Sequence, residues 1–339
     1  MNKPLLSICM ATYNREKHIR RQYEYFVREM EKIDTELIEV IISNNASPDG
    51  TGDFLHSIED KHSWLVINQN NENIGCVRNL KMLLHMAKGE YFFLPGDDDY
   101  LRYGLVKYLV DLLQNKKYAY VNLKTRTICE KTKAINTEGK IFPVPYGKGV
   151  NLTYKQILKS LMHDYSNLKF QTSCIVLREL ALQSEEEGEK IFAEAAINSN
   201  HSTFRSVRAM QQGKSFFTTK VWILGGDEST WSDQLINEQT RDSEFVLKLN
   251  KIGIREVDCR KLYKKINAYH VAGYIAYKDM RSCWKYAGYP GLSTDIFPEL
   301  FYLAIRKLLR KFNLSKEFET IKIDPNDFGI KVDNMVRNL

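Results

Sequence analysis

The stretch Tyr91-Phe92-Phe93-Leu94-Pro95-Gly96-Asp97-Asp98-Asp99 decides how this chain is read. Residues 91–94 form a short apolar run suited to a buried strand, and it leads straight into three consecutive carboxylates. Like charges at that spacing repel and raise one another's pKa unless a cation or hydrogen-bond donors offset them. On extended backbone Asp97 and Asp99 point the same way. That arrangement suits Mg²⁺ or Mn²⁺, which takes one or two carboxylates while substrate phosphates and water complete its shell. The competing reading is a solvated turn that caps a helix after Gly104.

Upstream of this run, strand-like and helix-like segments alternate. Residues 5–12 read as a buried strand and Asn14 as the N-cap of the next helix, where Ile19, Tyr23, Phe26, Val27, Met30 and Ile33 recur at three- and four-residue steps. A second strand over 37–42 runs into Ser43-Asn44-Asn45-Ala46-Ser47-Pro48-Asp49-Gly50, a cluster of turn formers. Residues 65–67 read as a third strand, and a helix over 76–87 places Val77, Leu80, Leu83, Leu84 and Ala87 on one side. Such alternation predicts an α/β fold with a mostly parallel sheet covered on both faces. Ligands gather at the carboxyl ends of such strands, where Thr12-Tyr13, Asn44-Asn45 and Asp97 to Asp99 all fall.

Downstream the pattern weakens. Strands are expected at 118–122, 172–177 and 216–224, a helix at 202–212, and a polar surface loop or helix end at 184–190. From about residue 240 the chain reads as largely helical. There Leu300, Phe301, Ala304, Ile305, Leu308 and Phe312 form an apolar stripe beside Arg306, Lys307, Arg310 and Lys311. This stripe suits either packing within the protein or against a second copy, or an amphipathic helix lying on a membrane surface.

The 339 residues allow one large domain, or a domain of about 230 residues followed by a smaller one. The six cysteines lie far apart with no C-x-x-C pair, which points away from a zinc site or a short-range disulfide framework and toward a reducing, cytoplasmic setting. The apolar stretch near the N-terminus is too short for a secretory signal, and no run reaches the roughly 18 apolar residues that span a bilayer. The net charge of +7 is modest and suits solubility, phosphorylated ligands or anionic lipid surfaces, and no nucleic-acid partner is expected.

Four segments together resemble family 2 glycosyltransferases of the GT-A fold. They are Leu6-Ser7-Ile8-Cys9-Met10-Ala11-Thr12-Tyr13-Asn14-Arg15, then Glu39 through Thr51, then Asn73-Ile74-Gly75 with Arg78-Asn79, then Gly89 through Leu94 leading into Asp97-Asp98-Asp99. Their order and approximate spacing follow the family over roughly the first 110 residues, and more loosely to about 235. The resemblance implies a GT-A-like catalytic domain over 1–238 and a helical C-terminal region over 239–339 that serves the acceptor, oligomerisation or a membrane surface. It implies an inverting transfer of a sugar from a nucleoside diphosphate sugar to an acceptor hydroxyl, in building a bacterial surface glycan. The acceptor would be a glycan or lipid-linked glycan.

By similarity Thr12, Tyr13, Asn14, Arg15 and Asn44 would lie about the nucleotide, Asn73, Gly75 and Arg78 near it or its phosphates, and Asp97, Asp98 and Asp99 at the divalent cation. Many relatives carry an aspartate in place of Asn44, where it accepts a hydrogen bond from uracil; an asparagine still accepts but brings donors and no charge. Relatives also place an acidic base at the start of a late helix, where this chain has Asn200-His201-Ser202. His201 is the candidate base, since imidazole is a competent general base near neutral pH. Asp227 or Glu228, in the loop after the late strand, is the competitor, Glu194 a weaker one, and Trp231 a candidate for stacking on an acceptor sugar. Two other functions fit parts of the pattern: a sugar nucleotidyltransferase, and a non-catalytic nucleotide-sugar-binding module. The first lacks a Gly-rich signature loop followed by a basic residue near the first strand.

Overall fold

A computed structural model describes residues 3–141, 143–169, 171–192, 200–226, 242, 244–276, 301 and 318–330. Strand β1 (Leu6–Thr12) lies deep in a mixed sheet, and it is apolar on both faces because both are covered: Leu6, Ile8, Cys9 and Met10 are all essentially inaccessible. It pairs in parallel with β2 (Ile38–Asn44) on one side and β4 (Tyr91–Phe93) on the other, and β2 carries β3 (Leu65–Gln69), also parallel. The next strand, β9 (Cys174–Leu177), runs antiparallel to β4 and to β6 (Tyr120–Thr127). Then β6 pairs in parallel with β10 (Ser215–Gly225), which takes the short strands β5 (Tyr100–Leu101) and β8 (Gly149–Val150) antiparallel. The main path is therefore β3-β2-β1-β4-β9-β6-β10-β5.

Helices α1 (Glu16–Met30), α2 (Thr51–Ile58) and α4 (Leu105–Leu113) cover one face, against Leu6, Ile8 and Met10. The other face, against Cys9 and Phe92, carries α3 (Cys76–Met86), α5 (Tyr154–Lys169), α6 (Arg178–Ile191), α7 (His201–Gln212) and α8 (Glu256–Ala276). Alternate residues of one strand feeding two cores is the period-two geometry of a sheet. Phe245, Val246, Leu249 and Ile252 belong to the second core, so the chain beyond 240 contributes to it. A small antiparallel pair, β7 (Glu138–Lys140) with β11 (Phe318–Thr320), stands apart from the main sheet.

One expectation needs correction. Asn14 is not the cap of α1: its φ is 57°, and the helix begins only at Glu16 behind Arg15. An asparagine tolerates that left-handed conformation better than most residues, and here it turns the chain out of β1. Residues 184–190 take the helix-end alternative: they form the second half of α6, and Ser184, Glu185 and Gly188 face the interior. The turn formers of 43–50 lead directly into α2, a helix that composition did not signal. The apolar stripe expected over 300–312 lies outside the described residues apart from Phe301, as does the expected domain boundary at 238.

Glu29, on the buried face of α1, spends both carboxylate oxygens on the start of α4. The amide of Gly104 donates to Oε1 and Oε2, each at 2.9 Å, and that of Val106 to Oε2 at 3.4 Å. The first amides of a helix have no partner within it, and a carboxylate there also meets the positive end of the helix dipole. We expect Glu29→Ala to lower stability by about 2 kcal/mol, seen as a reduced urea midpoint at unchanged slope.

Candidate active site

The carboxyl ends of β1, β2 and β4 meet at one rim. Thr12, the last residue of β1, donates its hydroxyl to Asp97 Oδ2 at 2.8 Å, and the amide of Asn45 donates to Thr12 O at 2.9 Å. The three polar clusters expected at this rim are thus brought together. The aspartate run itself is a turn and not extended backbone. Asp99 folds back so that Oδ2 accepts from the amide of Gly96 at 2.7 Å, Asp97 reaches toward Thr12, and Asp98 Oδ2 lies 3.4 Å from Arg15 Nη1. The three carboxylates therefore point to different partners, because the turn breaks the strand's alternation.

Helix α1 fixes this turn through its backbone. Gln22 Nε2 donates to the carbonyls of Asp97 (3.1 Å) and Asp99 (2.6 Å), and Arg21 Nη2 to those of Asp98 (2.7 Å) and Asp99 (3.2 Å). Arg21 is itself held between the Tyr100 ring, 3.7 Å from its guanidinium carbon, and Glu130, 3.6 Å from Nη1. Neither Arg21 nor Gln22 was singled out from sequence. The available signal was Gln22 in an otherwise apolar stripe, between Ile19 and Phe26, where a polar residue needs a buried partner.

The charges on the turn are under-compensated. Burial pushes the Asp97 carboxyl up to about 6, and Arg15 and Thr12 offset it only in part. Burial, then repulsion from Asp98, drives Asp99 well above the ordinary carboxylate range despite the Gly96 amide. Space beside the turn is kept by glycine. A Cβ on Gly226 would stand 2.9 Å from Asp98 O, and one on Gly96 would stand 2.9 Å from Asp98 Oδ1. Among the described residues no three Asp, Glu, His or Cys side chains converge into a metal cage. The residues therefore suit a cation that takes one or two carboxylates and draws its other oxygens from a bound diphosphate and water.

Beside the turn, the end of β2 is an amide network. Asn44 Nδ2 donates to Gln69 Oε1 at 2.7 Å, and its Oδ1 accepts from the amide of Ser47 at 3.2 Å, so both ends of Asn44 are engaged within the protein. Asn45 Nδ2 donates to Asn73 Oδ1 at 2.7 Å, while its Oδ1 accepts from Asn70 Nδ2 and the amide of Ile74, each at 3.0 Å. Asn73 Oδ1 also accepts from the amide of Gly75 at 3.0 Å. Gly75 has φ 83° with open space around it, and it turns the chain into α3. Asn73, Gly75, Arg78 and Tyr13 are exposed at this rim, Tyr13 by 44%. Arg15 and Asn14 are tied across to the turn after β2 by their amides, to Thr51 Oγ1 at 3.1 Å and Ser47 Oγ at 2.8 Å.

His201 opens α7 and is nearly buried. Its Nδ1 is 3.2 Å from Glu185 Oε2 on α6, with Lys81 Nζ 3.5 Å from Oε1 and Arg205 Nη2 3.9 Å from Oε2. Burial would raise the Glu185 carboxyl, but the His201 contact and then the positive charges of Arg205 and Lys81 outweigh it and bring it from 4.5 to about 2. Sequence reading overlooked Glu185 because its neighbours Glu186, Glu187 and Glu189 make the segment look uniformly solvated. Asp227, Glu228, Trp231 and Glu194 lie outside the described residues.

A family model described as glycosyl transferase family 2 matches residues 7–179, just over half of the chain. The chain belongs to glycosyl transferase family 2. Among curated proteins it is 29% identical over 133 residues to the abequosyltransferase RfbV of Salmonella typhimurium, a match covering 39% of each chain. It is 26% identical over 117 residues to an uncharacterised glycosyltransferase of Haemophilus influenzae, over 34% of this chain and 35% of that one. The matched stretch thus spans little more than a third of these relatives.

Among solved structures, the S. aureus TarS 1–349 complex with UDP-GlcNAc superposes with a TM-score of 0.56 at 14% identity, over 80% of this chain and 73% of that one. The mannosyltransferase PcManGT of Pyrobaculum calidifontis, in complex with GDP-Man and Mn²⁺, gives 0.50 at 13%, over 93% and 89%. At such identities the likeness speaks to fold alone, and the fold is GT-A-like, as the four sequence segments implied.

Two measurements test this description. Asp99→Asn keeps an acceptor for Gly96 and removes a carboxyl whose ionised form burial and Asp98 disfavour, so at alkaline pH and without added cation the melting temperature should rise by roughly 2 °C. A carboxyl held low in the folded state stabilises above its ordinary pKa and loses that contribution as pH falls through the folded value. The melting-temperature gap between wild type and Glu185→Gln should therefore be full above about pH 5 and close between pH 4.5 and about 2.

Proposed function

We propose that this chain transfers a sugar, with inversion, from a nucleoside diphosphate sugar to an acceptor hydroxyl. One observation carries the reading: an under-compensated aspartate turn, braced by α1, stands at the carboxyl-end rim of a family 2 domain beside the polar ends of β1 and β2. A doubly charged cation, brought with the pair of phosphates that it also binds, supplies the compensation that the turn lacks. The Mn²⁺ and GDP-Man in the PcManGT complex and the UDP-GlcNAc in the TarS complex support both parts of this ligand.

Asp97 and Asp98 would hold the divalent cation, Mn²⁺ or Mg²⁺, with Asp99 shaping the turn behind them. When bound, the cation offsets negative charge on the departing diphosphate. The rest falls to the chain. Arg15, beside Asp98, and Arg78, exposed on the first turns of α3, add positive charge toward the phosphates. The exposed face of Tyr13 is offered to the nucleoside, while Asn44 and Asn45 fix the shape of the rim that receives it. The acceptor oxygen bonds to the anomeric carbon as the bond from that carbon to the diphosphate oxygen breaks. The electron pair leaves with the diphosphate and His201 Nε2 takes the hydroxyl proton. A uridine nucleotide is the first donor to try, since UDP-GlcNAc occupies TarS.

The acceptor we propose is a glycan or lipid-linked glycan of a bacterial surface, a reading supported by similarity to an abequosyltransferase. Among the described residues no helix is long and apolar enough to cross a membrane. A cytoplasmic enzyme that touches the inner membrane face peripherally, alone or as a homo-oligomer, is the corresponding arrangement.

Thermal melting against UDP, GDP, CDP and dTDP, with and without Mn²⁺, tests the donor site, because a ligand of the folded state raises the melting point. One nucleotide should act, and only with the cation. Asp97→Ala and Asp98→Ala should each abolish that rise and cut sugar transfer at least 100-fold; retention of both in either variant would sink the metal assignment.

A further inference from the structure

The pairing of His201 with Glu185 has no part in the cation site, and it carries a further inference that rests on the transferase reading above. Topology sets the level of His201. Helix α7 hands over to β10 at Ser215, which pairs with Tyr120 at the amino end of β6, so the opposite end of α7 faces the carboxyl rim. Ser206 Oγ lies 3.4 Å from Cys174 Sγ, and Cys174 stands one residue toward the rim from Ile175, the partner of Phe93 in β4. His201 is five residues before Ser206, about 7.5 Å higher along the helix. That is the level the chain after β4 reaches at the aspartate turn.

At that level the imidazole has two different ends. Nδ1 is taken by Glu185 Oε2 at 3.2 Å, whereas Nε2 is buried with no hydrogen-bond partner among the described residues. A carboxylate accepts only, so the ring must donate Nδ1–H to it, and the neutral ring then carries its lone pair on Nε2. The groups that face the pair are Lys81 from α3, Arg205 from α7 and Glu189, which pairs with Lys81. Lys81 and Arg205 balance the two carboxylates, so Glu185 keeps its charge at neutral pH.

We propose that Glu185 is the positioning residue of the transfer reaction, fixing His201 in the tautomer whose Nε2 accepts the acceptor's proton. The acceptor O–H bond breaks toward Nε2 as its oxygen bonds the anomeric carbon, and the imidazolium that forms is stabilised by the carboxylate on its far side. This dyad replaces the carboxylate base that the chain lacks at this position. Orienting a base through a third group is the general logic of catalytic dyads and triads.

The test combines spectroscopy with kinetics. In wild type, long-range ¹H–¹⁵N correlation of the imidazole should show His201 protonated at Nδ1, and Glu185→Gln should lose this preference. Using UDP-sugars with Mn²⁺ and a panel of glycan acceptors, His201→Ala should lower kcat at least 100-fold and Glu185→Gln about 10- to 100-fold, with the donor KM within twofold of wild type. Glu185→Asp should recover part of the loss. The double variant should be no slower than His201→Ala alone, since residues acting as a unit do not add. A ring protonated at Nε2, a Glu185→Gln enzyme at full speed, or losses that multiply would each overturn this inference while leaving the transferase reading intact. Full turnover by His201→Ala overturns it by removing the base. A wild-type chain that consumes no donor overturns the transferase reading, and this inference with it.

Discussion

Three adjacent carboxylates in a buried turn are the constraint to which the surrounding structure answers. Their mutual repulsion would open the turn if its backbone were free, and the protein does not relieve that repulsion by pairing each carboxylate with a cation. It holds the main chain. Gln22 and Arg21 bind the carbonyls of Asp97, Asp98 and Asp99, and so leave the charged oxygens of Asp97 and Asp98 less committed than the backbone beneath them. Helix α1 can do this because its own start is fixed by Thr51 and Asp49, which cap the backbone of Arg15 and Glu16. One helix thus links the end of β2 to the end of β4.

The brace continues on the far side. Tyr100, directly after the aspartates, donates its hydroxyl to Glu130 at 3.1 Å and lies in a small core with Val221, Phe328 and Ile330. The amide of Tyr103 donates to Asp327 O at 2.9 Å, Arg102 pairs with the Asp327 side chain, and Lys124 and Arg126 both meet Glu319. Residues 318–330 therefore act as a strap across the outer strands, more than 200 residues from the turn they support in sequence.

The first four parallel strands and their rim were legible because their signals are local: continuous apolar runs for strands with both faces covered, and turn formers where they end. The aspartate run was legible for the same reason, as an electrostatic cost that needs an explanation. What was not legible depends on long-range pairing. The directions of Asp97 and Asp98 follow from Thr12 and Arg15, which only tertiary contact brings near, while Asp99 folds back on Gly96 three residues away. Glu185 reads as one more glutamate in an acidic stretch until α7 sets an imidazole against it. The antiparallel insertion of β9 between β4 and β6 leaves no mark in composition, since a four-residue apolar strand looks alike in either direction. Asn44 illustrates the reverse case. Its position in the family pattern was plain, yet its amide is spent on Ser47 and Gln69, which makes it a keeper of backbone shape.

The amide lattice at the end of β2 has one more consequence. Asn44, Asn45, Asn68, Asn70, Asn73 and Asn79 link to one another and to Ser43, Ser47 and Gln69 without a single ionisable group among them. No proton is gained or lost there across the biological range, and dissolved salt has no net charge to screen. The rim at the end of β2 therefore keeps its form whatever the acidity or ionic strength, while the anionic corner a few residues away responds to both. A donor molecule would be gripped at one end by neutral dipoles and at the other by ions, so changes in medium act on it from a single side.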